Sequence, residues 1–259
     1  MEASNPIGAT RTTFRIVEAL VEREGATVSE LAASLSVTKG TVHNHLATLQ
    51  ELGYVTKDGG VYHPALRFLA PATRSRQRSP LAMVPTGAAS DLAASTGQRV
   101  DLVALEGDRS VLVYTESGEQ YEGEYSVVGS VVPLYCTAPG KAILAHADHV
   151  RVEDALAAGD GERAGRAITD PPELRRELTK VRGEGLAHDR TESAPNVRGI
   201  AAPVFQSGTV RGAIGVLGAA DDMRGKTFQQ DIPGLVISAG ERLSKQLENN
   251  STDGADSVP

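Results

Sequence analysis

Apolar positions in the first sixty residues recur with a helical period and then switch to alternation. Phe14, Ile16, Val17 and Leu20 fall at helical spacing and predict a first helix, followed by Gly25, a residue that tolerates the positive φ of a helix end. Thr27-x-x-Glu30 has the spacing of a capping box and opens a second helix through Leu31, Ala32 and Leu35. After the short Ser36-Val37 turn, Thr38 caps a third helix that ends near Gly53. Val42, Leu46 and Leu49 share one face of it; Gly40, Asn44, Ala47 and Glu51 point the opposite way, with Thr41, His43 and Thr48 on the flanks. Tyr54–Lys57 and Val61–His63 then bracket Asp58-Gly59-Gly60, a hairpin signal. Three short helices, the last two joined tightly and followed by a hairpin, predict a winged helix-turn-helix over residues 10–64.

Residues 65–80 read as a linker: a short helix carrying Leu66, Phe68 and Leu69, then Arg74, Arg76 and Arg78 among Ser and Gln. From Leu81 onward the pattern predicts a second domain over 81–248. Val100–Leu105 and Ser110–Tyr114 flank Glu106-Gly107-Asp108-Arg109 as a hairpin. Further strands are expected at Tyr125–Val128, Gly185–Asp189, Ile200–Phe205 and Val210–Leu217. Helices are expected at Gly140–Ala147, Val150–Ala158, Pro171–Arg182 and Phe228–Leu247, and Thr169-Asp170-Pro171 reads as a helix start. Hairpin-linked strands with helices between them indicate an α+β domain with an antiparallel sheet. The polar segment 249–259 reads as a disordered tail.

The third helix carries the first candidate chemistry. With its apolar stripe docked, its polar face can enter a major groove. Lys39 and Thr41 suit phosphates, and Asn44 has the amide geometry for a bidentate pair with adenine. Thr38, His43 and Thr48 lie at or near the same surface, and Lys57 on the wing is placed for an adjacent phosphate. Residues 1–70 hold six basic and seven acidic groups, which leaves open a winged helix used for protein contacts. The third helix itself, however, has Lys39 and two histidines before its only acid, Glu51.

Composition narrows the remaining classes. The 259 residues are 40% hydrophobic and 23% charged, enough to build a core. Aromatics are 4% with no Trp, which argues against a stacking platform for single strands or sugars. One cysteine, Cys136, excludes an internal disulfide framework and any multi-cysteine metal site. No leader pattern and no long apolar run are present, so a cytoplasmic protein without membrane contact is expected. Net charge is −7, with twenty Arg against six Lys. Adaptation to high salt and a GC-rich genome both account for that bias.

The N-terminal block, Gly129-x-x-x-Pro133-Leu134 and Thr137-Ala138-Pro139-Gly140-Lys141-Ala142 together resemble the IclR family of transcription regulators. The likeness continues through Thr169-Asp170-Pro171, Arg182–Asp189 and Ile200-Ala201-Ala202-Pro203-Val204, and spans Thr10 to Leu247. It implies a winged-helix domain, a linker helix and a GAF-like effector-binding domain, in a homodimer that can pair into a tetramer. It also implies an operator of palindromic double-stranded DNA. The chain departs from the family at Tyr135, where His is usual, at Thr191-Glu192, where two glutamates are usual, at Asn196 in place of Gly, and at Asn44 in place of Arg.

A ligand site is expected between the segment Gly129–Lys141 and the strands of Asp189–Leu217. Gly140 at a helix start would leave amides open to an anion, so a small organic acid is the expected effector. The alternative is that these small residues only let the helix pack on the sheet. The spacing is not a P-loop, since Leu134 lies six before Gly140 and Ala142 follows Lys141. Tyr135 and Cys136 would narrow the site, and Ala138 and Gly215 would leave room in it. Pro203, Gly215 and Leu217 align with pocket walls of the family, and Asp189 and Glu192 would organise the rim. Cys136 with His146 and His149 lacks a full ligand set or triad, so neither metal, cofactor nor catalysis is expected. The expected function is a DNA-binding regulator controlled by a small molecule. The alternatives are a GAF-like sensor whose winged helix contacts proteins, and an enzyme built on Cys136.

Overall fold

The first apolar stripe forms helix α1 (Gly8–Glu22), which buries Ile16, Ala19 and Leu20. The computed structural model describes residues 5–123, 126–158, 166–224 and 230–253. Helix α2 (Val28–Leu35) starts with the complete capping box: Thr27 accepts from the amide of Glu30, whose carboxylate takes the Thr27 amide at 2.7 Å. Ser36 at φ 55 turns the chain through the left-handed region, and helix α3 (Lys39–Glu51) follows. Strands β1 (Val55–Asp58) and β2 (Val61–Pro64) pair antiparallel. Their connection is Gly59-Gly60 with both φ positive, the two-residue loop whose twist matches a hairpin. Leu20, Leu31, Val42, Leu46 and Tyr62 meet in one core; full burial of such side chains contributes roughly 1.5–3 kcal/mol each.

The linker is more helical than its sequence suggests. A 3₁₀ turn (Leu66–Phe68) leads into α4 (Leu69–Gln77), so Arg74 and Arg76 lie on a helix. The chain divides into two compact units, residues 1–75 and 76–259.

In the second unit, α5 (Pro80–Met83) and α6 (Gly87–Thr96) precede the sheet, with Gly97 at φ 69 ending α6. The strands are β3 (Arg99–Glu106), β4 (Arg109–Ser117), β5 (Val131–Val132), β6 (Ala187–Arg190), β7 (Val197–Gln206) and β8 (Thr209–Ala219). They lie in the order β5-β4-β3-β8-β7-β6, and every pair is antiparallel. Helices α7 (Ala138–Leu144), α8 (Val152–Ala157) and α9 (Pro171–Glu184) come between β5 and β6, and α10 (Ile232–Asp253) follows β8. Two cores flank the sheet. One joins it to α6 and α10 through residues such as Leu92, Val100, Ile214 and Leu243; the other joins it to α7 and α9 through Val103, Ile143, Leu174 and Ala213. An antiparallel sheet flanked by helices is the α+β architecture expected.

Beyond shifts of two or three residues at ends of α7, α8, β7 and β8, three differences from expectation stand out. Residues 126–130 form no strand; the chain turns at Val128-Gly129 and β5 begins only at Val131, while Tyr125 lies outside the described residues. Gly185, expected in a strand, is the left-handed cap of α9. Helix α10 runs to Asp253, five residues into the segment read as a tail, because Leu243 and Leu247 anchor it against the sheet. Phe228 and residues 254–259 lie outside the described residues. No helix among the described residues is long and apolar enough to cross a membrane.

Candidate DNA interface and effector site

On α3 the apolar residues Val42, Leu46 and Leu49 face the core, which leaves Lys39, Gly40, His43, Asn44, Ala47, Thr48, Gln50 and Glu51 exposed. Thr38 is the N-cap, and its hydroxyl accepts the Thr41 amide at 3.1 Å and lies 2.9 Å from the Thr41 hydroxyl. Thr41 is half-buried and its side chain belongs to the cap. Thr48 donates to the carbonyl of Asn44 at 3.0 Å. The exposed polar side chains in the first half of the helix are thus those of Lys39, His43 and Asn44, with Thr48, Gln50 and Glu51 exposed further along. His45 is a different kind of residue: half-buried, its Nδ1 lies 2.8 Å from the Thr13 hydroxyl and ties α3 to α1. Arg15 donates to the Leu35 carbonyl at the end of α2. On the wing, Lys57 is exposed with its ammonium 5.0 Å from the Tyr62 ring centre. His63 anchors the same hairpin through Nδ1, 3.0 Å from the Glu24 carbonyl.

In the second unit a cavity of about 570 Å³ opens at the end of the sheet where β3 begins and β8 ends. Arg99, Tyr121, Val197, Leu217 and Gly218 line it, with Ala194-Pro195-Asn196 on one wall and Glu122 and Asp222 at its exposed edge. Arg99 donates to Asp101 at 3.0 Å and to the Tyr121 hydroxyl at 2.9 Å. Asp101 also accepts from Thr115 at 2.7 Å; burial pushes its carboxyl above the ordinary range, with Arg99 and Thr115 opposing.

Of the ten residues expected to bind ligand, Leu217 alone lines this cavity among the described residues. The others lie outside its lining. The Gly140 amide, expected to be open to an anion, donates to the Thr137 hydroxyl at 3.0 Å, and Thr137 in turn donates to the Pro133 carbonyl. A Cβ on Gly140 would stand 2.0 Å from that carbonyl, so glycine is required by close backbone approach. Gly215 is filled from above: a Cβ there would lie 2.9 Å from Pro139 and 3.2 Å from Ala201. Ala138 packs toward Gly199, and Tyr135 and Cys136 are core residues. Pro203 is buried, paired with Ala213 in the sheet. Gly129 sits in an exposed turn at φ 100. Small residues here let α7 approach the sheet closely.

Asp189 and Glu192 are held deep in the fold. Lys141 of α7 is 0% exposed, and its Nζ reaches both Glu192 oxygens at 2.7 Å, with Glu177 of α9 at 3.8 Å. Asp189 accepts from the Glu192 amide at 2.7 Å and from the Ser193 hydroxyl. Burial raises both carboxyls above their ordinary values, opposed at Asp189 by Ser193 and at Glu192 by Lys141. The sequence reading missed Arg99 and Lys141. Arg99 and Asp101, two apart at the start of a strand whose next four residues, Leu102–Leu105, are apolar, share one face, a usable signal. A single lysine within Ala138–Leu144, otherwise free of charge, is another: buried lysines need a partner. No group of three His, Cys, Asp or Glu able to hold a metal occurs among the described residues.

Comparison with known proteins adds to this geometry. Residues 75–245 match the family described as the bacterial transcriptional regulator IclR C-terminal domain, and residues 11–59 match the IclR helix-turn-helix domain. The chain belongs to the IclR family of transcriptional regulators. Among its relatives is the probable HTH-type transcriptional regulator ArcR of Halobacterium salinarum, 30% identical over 239 residues, covering 90% of this chain and 91% of that one. KdgR of Escherichia coli is 31% identical over 195 residues, 74% of each chain. Two solved structures share the fold. Thermotoga maritima IclR superposes with a TM-score of 0.73 at 24% identity, covering 92% of this chain and 98% of that one. An IclR homologue from Microbacterium hydrocarbonoxydans, complexed with 4-hydroxybenzoate, gives 0.76 at 20% identity, with 93% and 99% covered. An IclR regulator pairs a DNA-binding helix-turn-helix with an effector-binding C-terminal domain, and this chain carries both.

Proposed function

We propose that this regulator binds a palindromic operator as a cytoplasmic homodimer, with tetramers formed by further pairing, and that a small organic acid controls it. The observation that carries the DNA reading is the outward surface of α3, where Lys39, His43 and Asn44 stand clear of a docked apolar stripe. Lys39 and Lys57 would meet phosphates and Asn44 a base edge, while Thr38, Thr41, His43 and Thr48 shape the approach. Dimerisation through the N-terminal half is supported by Ile7 at the N-cap of α1 and Phe14 and Val21 within it, 71%, 58% and 51% exposed at seven-residue spacing. The organic acid is supported by Arg99 on the cavity wall, a planar donor suited to a carboxylate, and by the 4-hydroxybenzoate in the Microbacterium homologue. The cavity, and not the start of α7, is the proposed ligand position. Its role is recognition without catalysis.

A mobility-shift assay against the DNA upstream of its own gene tests the first part: a discrete dimer complex that outlasts competitor DNA is expected. Absence of any specific complex would favour the reading in which the winged helix contacts proteins. Titrating 4-hydroxybenzoate and other small carboxylates beside their uncharged amides tests the second. Preference for amides over acids would remove Arg99 from its role.

A further inference from the structure

The residues between β6 and β7 supply Ala194, Pro195 and Asn196 to the cavity wall. They form neither helix nor strand, and the backbone reverses sharply at Thr191 (φ 71) and Asn196 (φ 61). Two buried carboxylates nevertheless hold the segment at fixed points: Asp189 caps the amide of Glu192, and Glu192 gives both oxygens to Lys141. Stability alone does not account for the ion pair. A buried pair is often matched or bettered by apolar side chains of similar volume, and here every other residue of α7 is uncharged. The pair instead lies where it can transmit the position of a rigid, fully buried helix to an irregular wall.

We propose that Lys141 is a positioning residue for effector recognition: through Glu192 it sets residues 194–196 in place, so that the cavity has its shape before a ligand arrives. A wall ordered in advance spares the ligand the entropy of ordering it. The inference rests on the effector reading above, but its test needs no effector.

The full-length chain carries Ala194→Cys as a reporter; the native thiol, Cys136, is buried. In this background the double variant Lys141→Met/Glu192→Met is compared with its parent. It should melt within a few degrees of the parent and keep operator affinity within twofold. Labelling of the new thiol by a disulfide reagent should accelerate at least tenfold, and so should exchange of the backbone amides at positions 192 and 193. Labelling and exchange at the parental rate would overturn the proposal, since the Asp189 cap would then suffice alone. Should the double variant not fold, Glu192→Gln serves: it keeps the shape, removes the charge, and should raise exchange at least threefold. Parental rates in that variant would overturn the proposal as well. Failure of every carboxylate to bind the native chain would refute the effector reading and leave these rates as they are.

Discussion

Helices α3 and α7 begin with the same local device, a threonine whose hydroxyl accepts the amide three residues on: Thr38 from Thr41 at 3.1 Å, Thr137 from Gly140 at 3.0 Å. Both carry glycine and lysine within the first turn or just beyond it. From there they diverge. On α3 three residues are buried and Lys39 is exposed, whereas all seven residues of α7 are buried and Lys141 is locked between carboxylates. Gly40 has open space around it, with its nearest neighbour 3.9 Å from a would-be Cβ, and Gly140 has 2.0 Å. Identical capping grammar therefore fixes where a helix starts and says nothing about what it faces. The surroundings decide whether a lysine reaches for a ligand or holds the fold.

The largest expected break in this comparison is at the lysines. Lys141→Met should remove roughly 3–5 kcal/mol of stability, because Glu192 is left buried and unpaired. Lys39→Met should change stability by less than about 0.5 kcal/mol. Urea denaturation followed by circular dichroism reads both; equal tolerance would erase the distinction. Next come the glycines. Gly140→Ala should cost about 3 kcal/mol through its clash with the Pro133 carbonyl, whereas Gly40→Ala should stabilise by about 0.4–1 kcal/mol. A stable Gly140→Ala protein would mean that α7 can lift from the sheet.

Operator binding sharpens the contrast on the exposed side. Asn44→Ala should cost roughly 1–3 kcal/mol of discrimination between operator and random DNA. Lys57→Ala should weaken both alike and lower the salt slope by about 1. Competition titrations at several salt concentrations separate the two patterns, and equal losses on both DNAs for Asn44→Ala would withdraw its base contact. The smallest effect is acid-linked. Burial, reinforced by Arg182 and Arg190, holds His146 and His188 below the ordinary value of 6.5. The unfolded chain then takes up protons first, so their contribution is complete above pH 6.5 and fades as pH falls through and below it. Asp189 and Glu192, raised by burial, work with the opposite sign: their protonation favours the folded state as pH falls from their raised values toward 4. Denaturation midpoints measured from pH 7.5 to 5.5 should show a less positive slope against pH in His188→Gln than in the parent, because the lowered His188 no longer contributes.

Much of the DNA-binding half could be read from its residues. The capping box at Thr27-Glu30, the stripe of Val42, Leu46 and Leu49, and the Gly59-Gly60 loop are local signals whose partners lie within a few residues. The cavity at the end of the sheet could not be read that way. Ala138 and Gly215 look like pocket residues because they are small, yet smallness serves equally to admit a helix. The close approach of Gly215 to Pro139, 76 positions away in sequence, is a contact that no local pattern announces. Arg99 and Asp101 did carry a local signal through their shared face, but what they face is set by β8 and the segment after β6.

The order of the strands also sets a timetable. Strand β3 is flanked by β4, which follows it directly, and by β8, where Arg99 pairs with Leu217. One edge of the first hairpin must therefore wait for more than a hundred further residues to be made. The winged helix needs only residues already emerged. At synthesis rates of about 5–20 residues per second, that interval is on the order of 10 s. During it a DNA-binding fold can already exist while the sheet that would report on a ligand is still open along β3. The winged helix thus has all its core partners early in synthesis, and the central strand of the second unit gains its last one late.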